Sequence, residues 1–112
     1  MVYYQVPVPR MARPQAVRQI RQCLATGRII PTRHFRDELA NEKLDFQDAL
    51  RILKTGQIYD EAEQDVKSGD WKYRCEGSVL DGKSFAIVIR FEAVDTLYLI
   101  TVFSIRPKER RP

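Results

Sequence analysis

One histidine, His34, stands in a run of cations, Arg33-His34-Phe35-Arg36. Imidazole is the side chain whose ordinary pKa lies nearest neutrality, and a neutral imidazole beside arginines suits a general base next to a phosphate. Flanking positive charge and a helix N-terminus both disfavour its protonation. The plainer alternative is a partly buried, helix-capping histidine. Other chemistries are excluded by residue type. Two cysteines, Cys23 and Cys75, and one histidine cannot assemble the usual structural zinc sites. There is no glycine-rich phosphate loop. Neither a metal nor a cofactor is expected.

The 112 residues amount to one domain, with 19 Lys+Arg against 15 Asp+Glu. The charge is uneven. Residues 1–36 hold seven arginines and no acid, residues 37–70 hold four basic and ten acidic side chains, and residues 71–112 hold eight against five. Thirteen arginines to six lysines lean toward phosphate and base recognition, because the guanidinium forks onto phosphates and stacks on rings. Arg18 and Arg21 of the acid-free third are therefore candidate RNA contacts, with solvated helix positions as the bland alternative. No apolar run approaches the ~18 residues of a membrane helix, and no secretory leader is visible. Two cysteines without such a leader suggest a reducing, cytoplasmic setting.

These residues must be positioned by a small set of elements. Residues 1–12, with prolines at 7 and 9, read as an extended arm, and residues 106–112 as a basic tail. A first helix spans Pro14 to Ala25, with Ala16, Val17, Ile20 and Leu24 at helical spacing and Arg18 and Arg21 off that stripe. Residues 28–31 form a short extended piece. A second helix covers Arg33 to Asn41, turning Phe35 and Leu39 inward. A third begins at the near-capping-box Asp45/Asp48, with Phe46, Ala49, Leu50 and Leu53 as its apolar stripe, and ends at Gly56. Residues 60–70 read as an irregular acidic connection. From Trp71 the apolar period becomes two, and Leu97 to Ile105 is apolar on both faces, as in a central strand. The predicted class is α+β: about three N-terminal helices on one face of a twisted antiparallel sheet of three or four strands.

The turn at Asp81-Gly82 fixes the faces. A two-residue turn would mix Lys72 and Arg74 into the apolar row. A three-residue loop, Leu80-Asp81-Gly82 with Gly82 left-handed, pairs Val79 with Lys83 and segregates the faces cleanly. Trp71, Tyr73, Cys75, Phe85, Ile87, Ile89 and Phe91 then share the core face. Lys72, Arg74, Glu76, Val88 and Arg90 share the other, with Lys72 opposite Arg90. Like charges placed opposite one another are tolerated where they bind an anion. The alternative is a wet face neutralised by Glu76 and Glu92.

Taken in order, Thr32-Arg33-His34-Phe35-Arg36, Leu44-Asp45-x-x-Asp48-Ala49, Trp71 to Gly77, Asp81-Gly82-Lys83 and Leu99-Ile100-Thr101-Val102-Phe103 resemble a bacterial family of small domains of unknown function. That family is related to the RelE-, BrnT- and MqsR-like toxins. The resemblance covers about Ile29 to Phe103, the toxin-like core of residues 29–105. The chain departs from the pattern at Glu38, where arginine is usual, and at Glu42 and Lys43, where arginine and glycine are usual. The resemblance implies a RelE/barnase-like fold and metal-independent RNA cleavage as the toxin of a type II toxin–antitoxin pair. Carried onto this chain, His34 would be base or acid, Arg74 and Arg90 with Lys72 would hold the phosphate, Thr101 would donate a hydrogen bond, and Arg33 and Arg36 would add RNA contacts. The implied partners are RNA and an acidic antitoxin, MqsA-like and zinc-binding by family analogy. A non-catalytic module that binds RNA or protein through the same surfaces is the competing reading, and docking of an acidic partner alone is a third.

Overall fold

The computed structural model describes residues 7–106; the start of the expected arm and the tail beyond Arg106 lie outside the described residues. The chain order is α1 (Arg13–Thr26), β1 (Arg28–Pro31), α2 (Arg33–Asn41), α3 (Phe46–Thr55), β2 (Gln57–Ile58), β3 (Glu63–Gln64), β4 (Trp71–Ser78), β5 (Ser84–Ala93) and β6 (Thr96–Ile105). The class is α+β. The sheet has six strands rather than three or four and is mixed rather than antiparallel, in the order β1-β6-β5-β4-β2 with β3 also on β4. Sequence period misses the extra strands for physical reasons. β2 and β3 are two residues each, too short to show alternation, and β1 is placed by a parallel pairing with β6, Arg28 opposite Thr96 through Pro31 opposite Leu99, that only the fold creates.

The helices form for local reasons. Proline in the first turn of α1 costs no hydrogen bond. α2 is capped by Thr32, whose hydroxyl accepts the Phe35 N–H at 3.1 Å. α3 opens on a full capping box between Asp45 and Asp48. Ala16, Val17, Ile20, Phe35, Leu39, Ala49, Ile52 and Leu53 bury against Tyr73, Cys75, Phe85, Ile87, Ile89, Phe91, Leu97, Leu99 and Val102 in one core. One predicted stripe shifts: Phe46 is 38% exposed and Ile52 takes its place inside. The C-terminus of α3 lies directly on β4. A Cβ added to Gly56 would stand 2.5 Å from the Ile52 carbonyl, and one on Gly77 3.2 Å from the Gly56 Cα, so this approach needs bare backbone.

The hairpin has the three-residue loop: the Val79 N–H donates to the Lys83 carbonyl at 3.0 Å and Gly82 has φ +89°. Lys72 pairs with Arg90, Tyr73 with Ile89 and Cys75 with Ile87, so the faces segregate as the register argument requires. Burial pushes the Cys75 thiol up to about 12, against the opposing pull of Arg21, and also raises Cys23. Neither is poised as a thiolate nucleophile.

After α2, the Leu44 N–H reaches the Leu39 carbonyl at 3.0 Å and Lys43 sits at φ +58°, a left-handed helix terminus that glycine ordinarily fills. Glycine is the residue usual in the resembled pattern at this position. A left-handed lysine costs about 1–2 kcal/mol, of which glycine's larger unfolded-state entropy offsets about half. Lys43→Gly should therefore stabilise the fold by about 0.5–1 kcal/mol, read as a raised urea midpoint at unchanged m-value. A lowered midpoint would refute the strain argument.

Candidate nucleic-acid interface on the open sheet face

The face of the sheet turned away from the helices carries three cross-strand rows. Lys72 of β4 pairs with Arg90 of β5, which pairs with Tyr98 of β6; Arg74 pairs with Val88, and Val88 with Thr101; Glu76 pairs with Ala86, and Ala86 with Phe103. Thr101 reaches this face because of a bulge. Leu99 pairs with Ile89 but Thr101 with Val88, so Ile100 is an extra residue on β6. Strict alternation from Leu97 would have put Thr101 opposite Ile87, toward the helices.

The bulge is held from outside the hairpin. The Thr32 hydroxyl donates to the Leu99 carbonyl at 2.9 Å and lies 3.3 Å from that of Ile100, while the Thr32 N–H also donates to Leu99 at 3.1 Å. Since the same hydroxyl caps α2, one side chain ties the start of that helix to the residue that turns Thr101 over.

Both arginines of the face lean toward β6. The Arg74 Cζ stands 5.0 Å from the centre of the Phe103 ring, two strands from its own backbone. The Arg90 Cζ stands 4.4 Å from the Tyr98 ring. Two guanidinium–aromatic stacks therefore flank Thr101 along β6. Each cation also has a carboxylate. Lys72 Nζ is 3.9 Å from Asp65, Arg90 Nη1 is 2.5 Å from Glu92 and 3.7 Å from Asp70, and Arg74 Nε is 3.4 Å from Glu76. The last contact is an ion pair without hydrogen-bond alignment, and the Arg74 Nε is buried with no hydrogen-bond partner. Glu76 is 6% exposed.

The remaining candidates separate into two places. His34, Arg33 and Arg36 are exposed on α2 beside β6, and His34 makes no hydrogen bond or ion pair among the described residues. Arg18 and Arg21 belong to α1, on the helical side of the sheet, so the fold does not join them to Arg74 and Arg90. Arg21 donates from Nε to the Lys54 carbonyl at 3.1 Å and from Nη2 to that of Gly56 at 3.2 Å. Two residues that organise the face, Thr32 and Glu76, were not among the candidates. A threonine preceding a helix signals a cap but not its second bond, and a strand glutamate gives no sign of burial. Among the described residues no group of three or more His, Cys, Asp or Glu is placed to hold a metal ion, and no helix is long and apolar enough to cross a membrane.

A sheet with helices on one side and a face of stacked arginines on the other defines a small α+β domain with an open, polar sheet face. Residues 31–104 match the family described as domain of unknown function DUF4258, and the chain belongs to that family. No curated protein and no solved structure matches the chain.

Two stability outcomes follow from this geometry. Thr32→Val removes the cap and the bulge tie together and should cost about 1–2 kcal/mol, whereas Thr32→Ser should retain most of it; equal losses in thermal or urea unfolding would show that the hydroxyl does nothing. Arg74→Ala strands the Glu76 carboxylate. A fully buried pair would lose about 3–5 kcal/mol, but Arg74 is 35% exposed, and solvent screening lowers the expectation to about 1–3 kcal/mol. The double variant with Glu76→Gln should recover part of that loss, and strict additivity of the two changes would contradict the pairing.

Proposed function

We propose that this chain is a metal-independent endoribonuclease, the toxin of a type II toxin–antitoxin pair, with a RelE/barnase-like arrangement of helices and sheet. It takes RNA across the open sheet face beside the start of α2. The observation that supports this reading is the convergence of the two guanidiniums over β6: Arg74 reaches across β5 to Phe103, Arg90 stacks on Tyr98, and Thr101 lies between those rows. Such fixed cations stabilise the charge that develops on a pentavalent phosphorane. The RNA supplies its own nucleophile. The 2′-hydroxyl loses its proton to the base, His34 in this reading, and its oxygen attacks the adjacent phosphorus. The bond to the 5′-oxygen breaks, that oxygen takes a proton from water, and a 2′,3′-cyclic phosphate remains. Stacked aromatics beside arginines also give bases a platform. Arg33 and Arg36, exposed on α2, contribute phosphate contacts, and Lys72 completes the basic row. The inhibitor is an acidic antitoxin, and the setting is the reducing cytoplasm in which Cys23 and Cys75 remain free thiols.

One observation favours a second reading. Lys72, Arg74 and Arg90 already have carboxylate partners, so phosphate must compete with Asp65, Asp70, Glu76 and Glu92. A non-catalytic module that binds RNA or protein through this face needs no free catalytic cation.

The test is cleavage of a labelled RNA in the presence of EDTA, with analysis of the new ends. The ribonuclease reading expects cyclic-phosphate products and a loss of roughly 10²-fold or more for His34→Ala. Cleavage by His34→Ala within twofold of the parent would refute the site. Salt-sensitive RNA binding without cleavage would transfer the assignment to the non-catalytic module.

A further inference from the structure

Among the described residues, six cations are held in ion pairs and others, on β1, α2 and the loops as well as on α1 and α3, are not. Arg10 and Arg13 hold Glu61, Lys83 holds Asp81, and Lys72, Arg74 and Arg90 hold the carboxylates of the sheet face. Arg18, Arg21, Arg51 and Lys54 hold no carboxylate among the described residues. Three of these four, Arg21, Arg51 and Lys54, line one groove of about 860 Å³ between α1 and α3.

The groove is built like a receptor for a helix. Its apolar part is Leu24 and Ala25 from α1 and Leu50 from α3. Phe46, exposed one turn before Leu50 on the same row of α3, extends that surface. No acidic residue lines it. Arg21 is fixed at the rim by its two bonds to carbonyls at the end of α3, which use two of its five N–H donors and leave three for a ligand. Arg18, three residues before Arg21 on α1, is exposed on the approach.

We infer that this groove is a docking site for an acidic amphipathic helix of another protein, its apolar side on Leu24, Leu50 and Phe46 and its carboxylates on Arg21, Arg51 and Lys54. The chemistry selects that occupant. An aliphatic surface between two helices accepts the i, i+3, i+4, i+7 face of a third helix, and a rim of cations without acids selects carboxylates on its flanks. A single strand stacks its bases on ring faces, and no aromatic residue is among those that line the groove, while the backbone of a duplex would leave its aliphatic part unused. A second copy of the chain offers no matching element among its described residues. The apolar face of α2 is spent in the core on Phe35 and Leu39, and Glu61 is clasped by Arg10 and Arg13. The groove lies on the helical side of the sheet and uses none of the catalytic residues; the inference rests on the ribonuclease reading only in that an acidic protein partner already belongs to it, and gives such a partner a place and a form.

The probe is a fluorescein-labelled synthetic helix of about 20 residues, with leucines at that spacing and glutamates on both flanks; a lysine-flanked twin is the control. Anisotropy should show binding of the acidic peptide only. Arg51→Glu/Lys54→Glu, two exposed changes checked for native circular dichroism, should weaken it roughly tenfold or more, as should raising salt from about 0.05 to about 0.5 M. Amide shifts should fall on α1 and α3. His34→Ala should leave peptide binding unchanged even where it abolishes RNA cleavage, so the two readings fail separately. Equal binding of both peptides, indifference to Arg51→Glu/Lys54→Glu, shifts confined to the sheet face, or displacement of the peptide by self-association of the protein would each overturn the inference.

Discussion

The hydroxyl of Thr32 is the joint on which the candidate surface depends. It accepts a hydrogen bond from the first turn of α2 and donates to the carbonyl of Leu99, with that of Ile100 at 3.3 Å, where β6 carries its extra residue. A bulge left to itself is a weak point in a ladder, because the extra residue loses its pairing. Here the loss is offset by bonds from the element that enters the next helix. His34 and Thr101 lie far apart in sequence, yet each is placed by what Thr32 holds.

Part of the charge of the chain is paired between segments. An arginine-rich beginning and an acidic middle look like two binding surfaces when read along the sequence. In the fold Arg10 and Arg13 meet Glu61, Arg13 also donates to the Tyr59 carbonyl at 2.5 Å, and Arg10 stacks over Trp71 at 5.9 Å. The Met11 N–H donates to the buried Tyr73 hydroxyl at 2.7 Å, securing the segment before α1 to the sheet. Two of the seven arginines of the first third are thus held in a clasp between segments. The cations left over, on α1, α2 and α3, are more informative than the total, because exposed pairs contribute little to stability whereas unpaired cations on a concave surface select a ligand.

The open sheet face works under a similar constraint. Its arginines lie over aromatic rings, which fixes their planes and excludes water from one side. The carboxylates that neutralise them, Glu76 above all, keep that arrangement in the absence of a ligand. Such a face is preorganised, and any anion that binds it must compete with the resident acids.

The helices, the capping box of α3 and the assignment of residues to the two faces of the β4–β5 hairpin were legible in the sequence, because they follow from local period and from a turn with one acceptable register; the threonine cap of α2 was not read. A single-residue slip would have moved Lys72 and Arg74 into the core, a penalty large enough to decide the pairing from composition alone. The resembled pattern has glycine at the position of Lys43, where the backbone φ is positive. The face of Thr101, the burial of Glu76, the parallel strand β1 and the destination of each arginine were not legible. Each depends on contacts between segments distant in sequence, and a bulge inverts the parity that alternation assumes. The sequence by itself determined which residues alternate; the tertiary structure decided, through one extra residue at Ile100 and the threonine that holds it, which way β6 faces.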